Sequence, residues 1–170
     1  PMDYTQGAMR NATKKSYYPC NSQPMSQGTR CRQLAEYVVF ESPLNMMCDS
    51  PTNYMAEQEC TDFIAAIPTV WDETVALDGK VAEYVVMARR KADTWDVGAM
   101  AGWDGREMEI DLGFLPEGEY SMTVFRDGVN AHRIASDYRK VTMDVPSDRK
   151  MKIKMAPGGG WAAVITRKNQ

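Results

Sequence analysis

Few side chains in this 170-residue chain stand at spacings that could support chemistry. Trp71-Asp72-Glu73 sets two carboxylates side by side. Acid–base cleavage by two carboxylates needs them facing each other across one bond, yet adjacent residues on a strand point to opposite faces. The pair therefore reads as one carboxylate turned inward and one solvated. Gly158-Gly159-Gly160 has the flexibility of a phosphate cradle, but such loops run into a helix whose N-terminus holds the anion. Here the strand-like Trp161-Ala162-Ala163-Val164-Ile165 follows, which predicts a turn. His132 is the only histidine and lies in the loop-like Asp127-Gly128-Val129-Asn130-Ala131-His132-Arg133. No Ser or Cys nucleophile context stands beside it, so a surface loop histidine is expected.

Cys20, Cys31, Cys48 and Cys60 contain no C-x-x-C pair, which argues against zinc. Cys31 and Cys48 sit among apolar, helix-like residues, a setting that predicts buried free thiols. The even number of cysteines permits disulfides, so the redox compartment stays open. Of the four tryptophans, Trp95 shares a face with Val97 and Ala99 and is expected in a core. Trp103 precedes Asp104-Gly105 and is the one expected at the surface, where an aromatic face can stack on a sugar. Lys150, Lys152 and Lys154 form one basic strand face, read as the wet side of an edge strand.

The elements that must position these groups change character near Pro68. Cys31, Leu34, Ala35, Val38 and Val39 recur at spacings of three and four, predicting a helix over 27–41. Ser42-Pro43 ends it and is read as opening another short helix; Ser50-Pro51 repeats that signal. A further helix is predicted over 53–66, with Met55, Cys60, Phe63 and Ile64 on its apolar side. After Pro68, residues 107–112, 140–145 and 150–155 alternate strictly between apolar and polar, as half-buried antiparallel strands require. Further strands are predicted over 69–78, 80–91, 94–101, 118–126 and 160–166, with turns at Asp78-Gly79, Asp93, Asp104-Gly105, Glu117-Gly118 and Pro157-Gly158. The fold class expected from this pattern is α+β: a helical part over 1–67, then an antiparallel β-sandwich over 68–170.

Composition agrees with a globular chain: 44% apolar, 25% charged, net charge −3. No basic stripe invites nucleic acid, and no apolar run reaches the ~18 residues of a membrane span. If the helical part is the end of a β/α barrel, Asp3-Tyr4, at the extreme start of the chain, sits just past the last strand, and barrel active sites are built from such loops. Asp3 and Tyr4 are therefore the substrate-pocket candidates. No residue is assigned as catalytic or metal-binding.

Pro1-Met2-Asp3-Tyr4-Thr5-Gln6-Gly7, Gln27-Gly28-Thr29-Arg30-Cys31-Arg32-Gln33-Leu34-Ala35, Phe40-Glu41-Ser42-Pro43-Leu44, Cys48-Asp49-Ser50-Pro51, Ile67-Pro68-Thr69-Val70-Trp71-Asp72-Glu73-Thr74, Phe125-Arg126-Asp127-Gly128-Val129-Asn130-Ala131 and Met155-Ala156-Pro157-Gly158-Gly159-Gly160-Trp161 together resemble glycoside hydrolase family 97. The resemblance implies that residues 1–67 are the helical tail of a (β/α)8 barrel and that residues 68–170 are its C-terminal β-sandwich. The resemblance implies the C-terminal portion of a bacterial, periplasmic enzyme that hydrolyses α-linked glucosides or galactosides. It implies an upstream barrel as partner, an α-linked oligosaccharide as substrate, and calcium in the parent enzyme with none bound by this stretch. It also implies that the catalytic and calcium-binding carboxylates precede Pro1, so the chain alone is expected to be inactive. The family usually carries Pro where this chain has Gln6. The β domain is expected to buttress the barrel and to serve oligomerisation; the rival expectation is a carbohydrate-binding module.

Overall fold

The computed structural model describes residues 4–168. The helical part contains β1 (Tyr4–Thr5), β2 (Asn11–Ala12), β3 (Ser26–Gln27), α1 (Arg30–Val39), β4 (Asn45–Met46), α2 (Pro51–Ala56) and α3 (Gln58–Ala66). The helix starts follow local chemistry. The Thr29 hydroxyl accepts the Arg32 backbone N–H at the head of α1. Ser50 does the same for Asn53 at α2, where Pro51 takes the first turn.

Three expectations are corrected here. Ser42-Pro43 opens no helix: the chain stays extended and forms β4, which pairs parallel with β1. With α1 between two parallel strands, residues 4–46 make a β–α–β unit rather than a purely helical segment. The helix predicted over 53–66 starts at Pro51 and breaks at Glu57, whose φ of −117° and ψ of 43° leave the helical region. That break turns Met55 outward, 64% exposed, while Cys60, Phe63 and Ile64 are buried as expected.

Eight strands follow: β5 (Glu73–Lys80), β6 (Tyr84–Lys91), β7 (Thr94–Ala101), β8 (Arg106–Asp111), β9 (Tyr120–Asp127), β10 (Tyr138–Asp144), β11 (Lys150–Met155) and β12 (Gly160–Arg167). The first begins at Glu73, four residues later than the pattern implied. The reversal expected at Asp78-Gly79 lies at residues 81–83, where Ala82 adopts φ +65°; Asp78 instead borders a register shift inside β5. The strands form a six-stranded antiparallel sheet, β10-β9-β12-β7-β6-β5, and a two-stranded sheet, β11-β8.

Three layers result. Between the two sheets lies one core, with Val86, Trp95, Val97, Ile110, Val124, Ile153 and Trp161 among its buried members. The opposite face of the large sheet packs on the helices through Leu34, Val38, Phe63, Met100, Phe125 and Ala162. Alternation along β7 explains both: Trp95, Val97 and Ala99 point into the sandwich, while Met100 points toward α1. A Cβ on Gly98 would lie 2.9 Å from the Ala35 carbonyl oxygen, and one on Gly160 would lie 2.4 Å from the Arg32 Cα. Helix α1 therefore rests on strand backbone. Among the described residues, no helix is long and apolar enough to cross a membrane.

Candidate functional site

The residues singled out by type disperse rather than converge. Asp3 lies outside the described residues. Tyr4 stands in β1 with its ring 4.8 Å from that of Phe40. Asp72 and Glu73 are both exposed, contrary to the inward–outward split, because each finds a cation on β6. Asp72 bonds Lys91 at 2.9 Å, and Glu73 bonds Arg90 at 3.0 Å. His132 is exposed in a loop, and Gly158 turns the chain at φ +66°. All four cysteines are free; Cys31 and Cys60 are buried. Cys48 corrects its expectation: it is exposed, in the irregular stretch between β4 and α2.

The tryptophan faces are occupied. Trp95 and Trp161 are core residues. Trp71 is half-buried under the Arg89 guanidinium, 5.8 Å from its ring centre. Trp103, expected at the surface, is half-buried against Gly158, where a Cβ would come within 2.3 Å of its ring. The lysine strip stands as read, on the wet face of β11. Lys150 pairs with Asp111 at 2.6 Å, Lys154 pairs with Glu107, and Lys152 lies opposite Glu109.

Buried polar groups form the structural joints that pattern reading missed. The Arg30 side chain is 2% exposed and bonds Glu57 at 2.8 Å, together with Asn11 and the Met9 carbonyl. It fastens the β1–α1 loop to α3. Asp127 Oδ2 accepts the backbone N–H groups of Ala156 at 2.9 Å and Gly160 at 3.1 Å. Burial pushes its carboxyl above the ordinary range, against the pull of those donors. Burial also lifts Glu36 to about 7, opposed by the charge of Arg32. Asp96 is 3% exposed, and burial with no compensating partner lifts it to about 7. Arg89, opposite it in register, donates to the Val39 carbonyl at 3.1 Å instead. Among the described residues no three His, Cys, Asp or Glu side chains gather as a metal site would need.

What remains open to a partner lies along β9 and β10. A groove of about 1100 Å³ runs between them and the two-stranded β8–β11 sheet, lined by Arg126, Arg139, His132, Met151 and Lys152 among others. Arg126 and Arg139 face each other across the two strands, and neither has an ion-pair partner among the described residues. β10 is, with β5, one of the two outer strands of the large sheet. On its helix side, Tyr138 donates to Glu59 at 2.7 Å, Lys140 lies 3.6 Å from Glu59, and Asp144 bonds Lys168 at 2.8 Å. Met143, on the other side, is 38% exposed.

The described residues thus form a β-sandwich with open edges, joined to a β–α–β unit. Residues 70–166 match the family model described as glycosyl-hydrolase 97 C-terminal, oligomerisation, and the chain belongs to that family. A retaining alpha-galactosidase of Bacteroides thetaiotaomicron is 61% identical over 165 residues, 97% of this chain and 25% of that protein. A probable retaining alpha-galactosidase of Streptomyces bingchenggensis is 25% identical over 167 residues, 96% of this chain and 23% of that protein. A solved glycoside hydrolase family 97 enzyme from Pseudoalteromonas sp., in complex with panose, superposes with a TM-score of 0.80 at 33% identity, covering 84% of this chain and 23% of that one. The chain thus spans about a quarter of the length of the curated relatives it matches.

Proposed function

We propose that this chain is the C-terminal region of a retaining α-galactosidase, where it completes the catalytic barrel, buttresses it and carries self-association. The β–α–β unit is the observation that carries the reading. Among the described residues β1 and β4 have only each other as strand partners, and Leu44, Met46 and Met47 around β4 are exposed. Parallel strands are stable when buried within larger sheets, so this pair calls for neighbouring strands from the same polypeptide. The remaining faces of α1 already meet the sandwich, which ties barrel and module together. The galactoside and the retaining outcome rest on the 61% identical relative.

In that parent, retention uses one carboxylate as nucleophile and a second as acid, then base. Both belong to upstream barrel segments; Asp3 and Tyr4 stay the proposed pocket residues. Calcium takes six to eight oxygen ligands, and the described residues gather no such set. By themselves the described residues do not fit the ion. A periplasmic location is proposed on the family resemblance. The carbohydrate-binding alternative needs free aromatic faces, whereas Trp95 and Trp161 are core residues, Trp71 lies under Arg89 and Trp103 lies against Gly158, which favours an interface role.

The test is hydrolysis of p-nitrophenyl α-galactoside and α-glucoside by the full-length protein, with the first product followed by NMR. Galactoside preference and an α-configured first product are expected. Glucoside preference or a β-configured first product overturns the assignment. The chain in hand is expected to release sugar from neither, and calcium-dependent release by it alone would overturn the division of labour.

A further inference from the structure

The self-association reading leaves open which surface meets the second copy, and the backbone of β10 narrows the choice. Gly128 N–H donates to the Asp137 carbonyl, and Val145 N–H donates to that of Tyr120, bracketing the β9–β10 ladder at both ends. Hydrogen-bonded and non-bonded pairs alternate in an antiparallel ladder. Residues 139, 141 and 143 therefore spend their N–H and C=O groups on β9. Those of Lys140, Thr142 and Asp144 point out from the sheet edge. Pro146, with no N–H, ends the row.

Side chains on this strand are complementary to themselves. Lys140, Thr142 and Asp144 lie on the helix side, and Val141 and Met143 on the side of the small sheet. We infer that a second copy of this chain pairs antiparallel with this edge about a two-fold axis at Thr142. In that register Lys140 opposes Asp144 of the second copy, twice by symmetry, and Thr142 opposes Thr142. On the side of the small sheet Val141 opposes Met143, which covers a methionine that is 38% exposed. An axis at Lys140 or Asp144 sets like charges against each other, and one at Val141 sets Lys140 against Thr142; neither gains an ion pair. Charged edge strands also serve to prevent pairing. They do so by presenting like charges, whereas here opposite charges stand four residues apart, at the spacing an axis between them requires. The present contacts of Lys140 with Glu59 and of Asp144 with Lys168 are partly exposed and rearrange at little cost. The pairing joins two six-stranded sheets into one of twelve.

This assignment rests on the self-association reading, and sedimentation of the full-length protein separates the two. Wild type is expected to dimerise. Thr142→Pro removes the outward N–H on the axis and is expected to weaken the dimer about tenfold or more. Lys140→Asp and Asp144→Lys are each expected to weaken it about tenfold, and the double reversal to restore it. Circular dichroism checks that each variant folds; should Thr142→Pro fail to fold, the exposed charge reversals still decide. A wild type that stays monomeric overturns the reading and the inference together. A dimer indifferent to all the variants overturns only the edge. Single reversals that weaken it without rescue by the double reversal overturn the register.

Discussion

Asp96→Asn should stabilise the protein, and only above acid pH. The native carboxyl is 3% exposed in the middle of β7, and burial alone lifts it from 3.8 to about 7. Its counterpart across the ladder, Arg89, is turned to the Val39 carbonyl and the Trp71 ring, and the other charge near that guanidinium is Glu41. Because the folded value exceeds the unfolded one, the folded state holds the proton more tightly. The group's contribution is fully present below about pH 4 and is lost as the pH rises to about 7. A change of more than a thousandfold in proton affinity corresponds to about 4 kcal/mol. Asparagine keeps the shape and never ionises. Urea unfolding of both proteins from pH 4 to pH 8 should give a stability difference near zero at the acid end. It should then grow by about 1.4 kcal/mol per pH unit and level off near 4 kcal/mol above pH 7. Glu36, also lifted to about 7, is present in both proteins and cancels. A difference independent of pH, or a variant less stable at pH 8, would mean that Asp96 is ionised and partnered, and would refute the reasoning.

Arg30→Met should cost about 3–5 kcal/mol, since it strips a buried cation from Glu57, Asn11 and the Met9 carbonyl; a denaturant midpoint unchanged by the substitution would contradict that role. Gly160→Ala drives a methyl into the α1 backbone at 2.4 Å from the Arg32 Cα and should cost about 3 kcal/mol, read as a lowered thermal midpoint. Thiol titration should label exposed Cys48 in the native protein, while Cys31 and Cys60, buried and with thiols pushed up by that burial, react only after unfolding. Native labelling of Cys31 would show that the helix layer opens.

The strands were legible wherever one face is dry and the other wet, as at 140–145 and 150–155, because pleat and hydropathy then share a period of two. Reading failed where structure arises without that contrast. β4 is two residues long and parallel, with no alternation to betray it. The reversal at Ala82 and the helix break at Glu57 use neither Gly nor Pro. Asp96 and Arg89 look like the wet positions of an alternating strand, yet their sheet is covered on both sides, so polarity there marks a buried charge. The joint at Arg30 lay inside a recognisable stretch, but its partners Asn11 and Glu57 are 19 and 27 residues away, a distance that local pattern does not span. Tyr4, expected in a loop just past a strand, stands instead within β1.

Helix α1 has a consequence for how such enzymes are rearranged. Its inward residues are seated on bare strand backbone at Gly98 and Gly160, so the β module cannot be lifted out as a cassette. A graft of residues 68–170 onto a foreign catalytic body would carry Met100, Phe125 and Ala162 as an oily, uncovered floor. To travel, the module would need its helix as luggage.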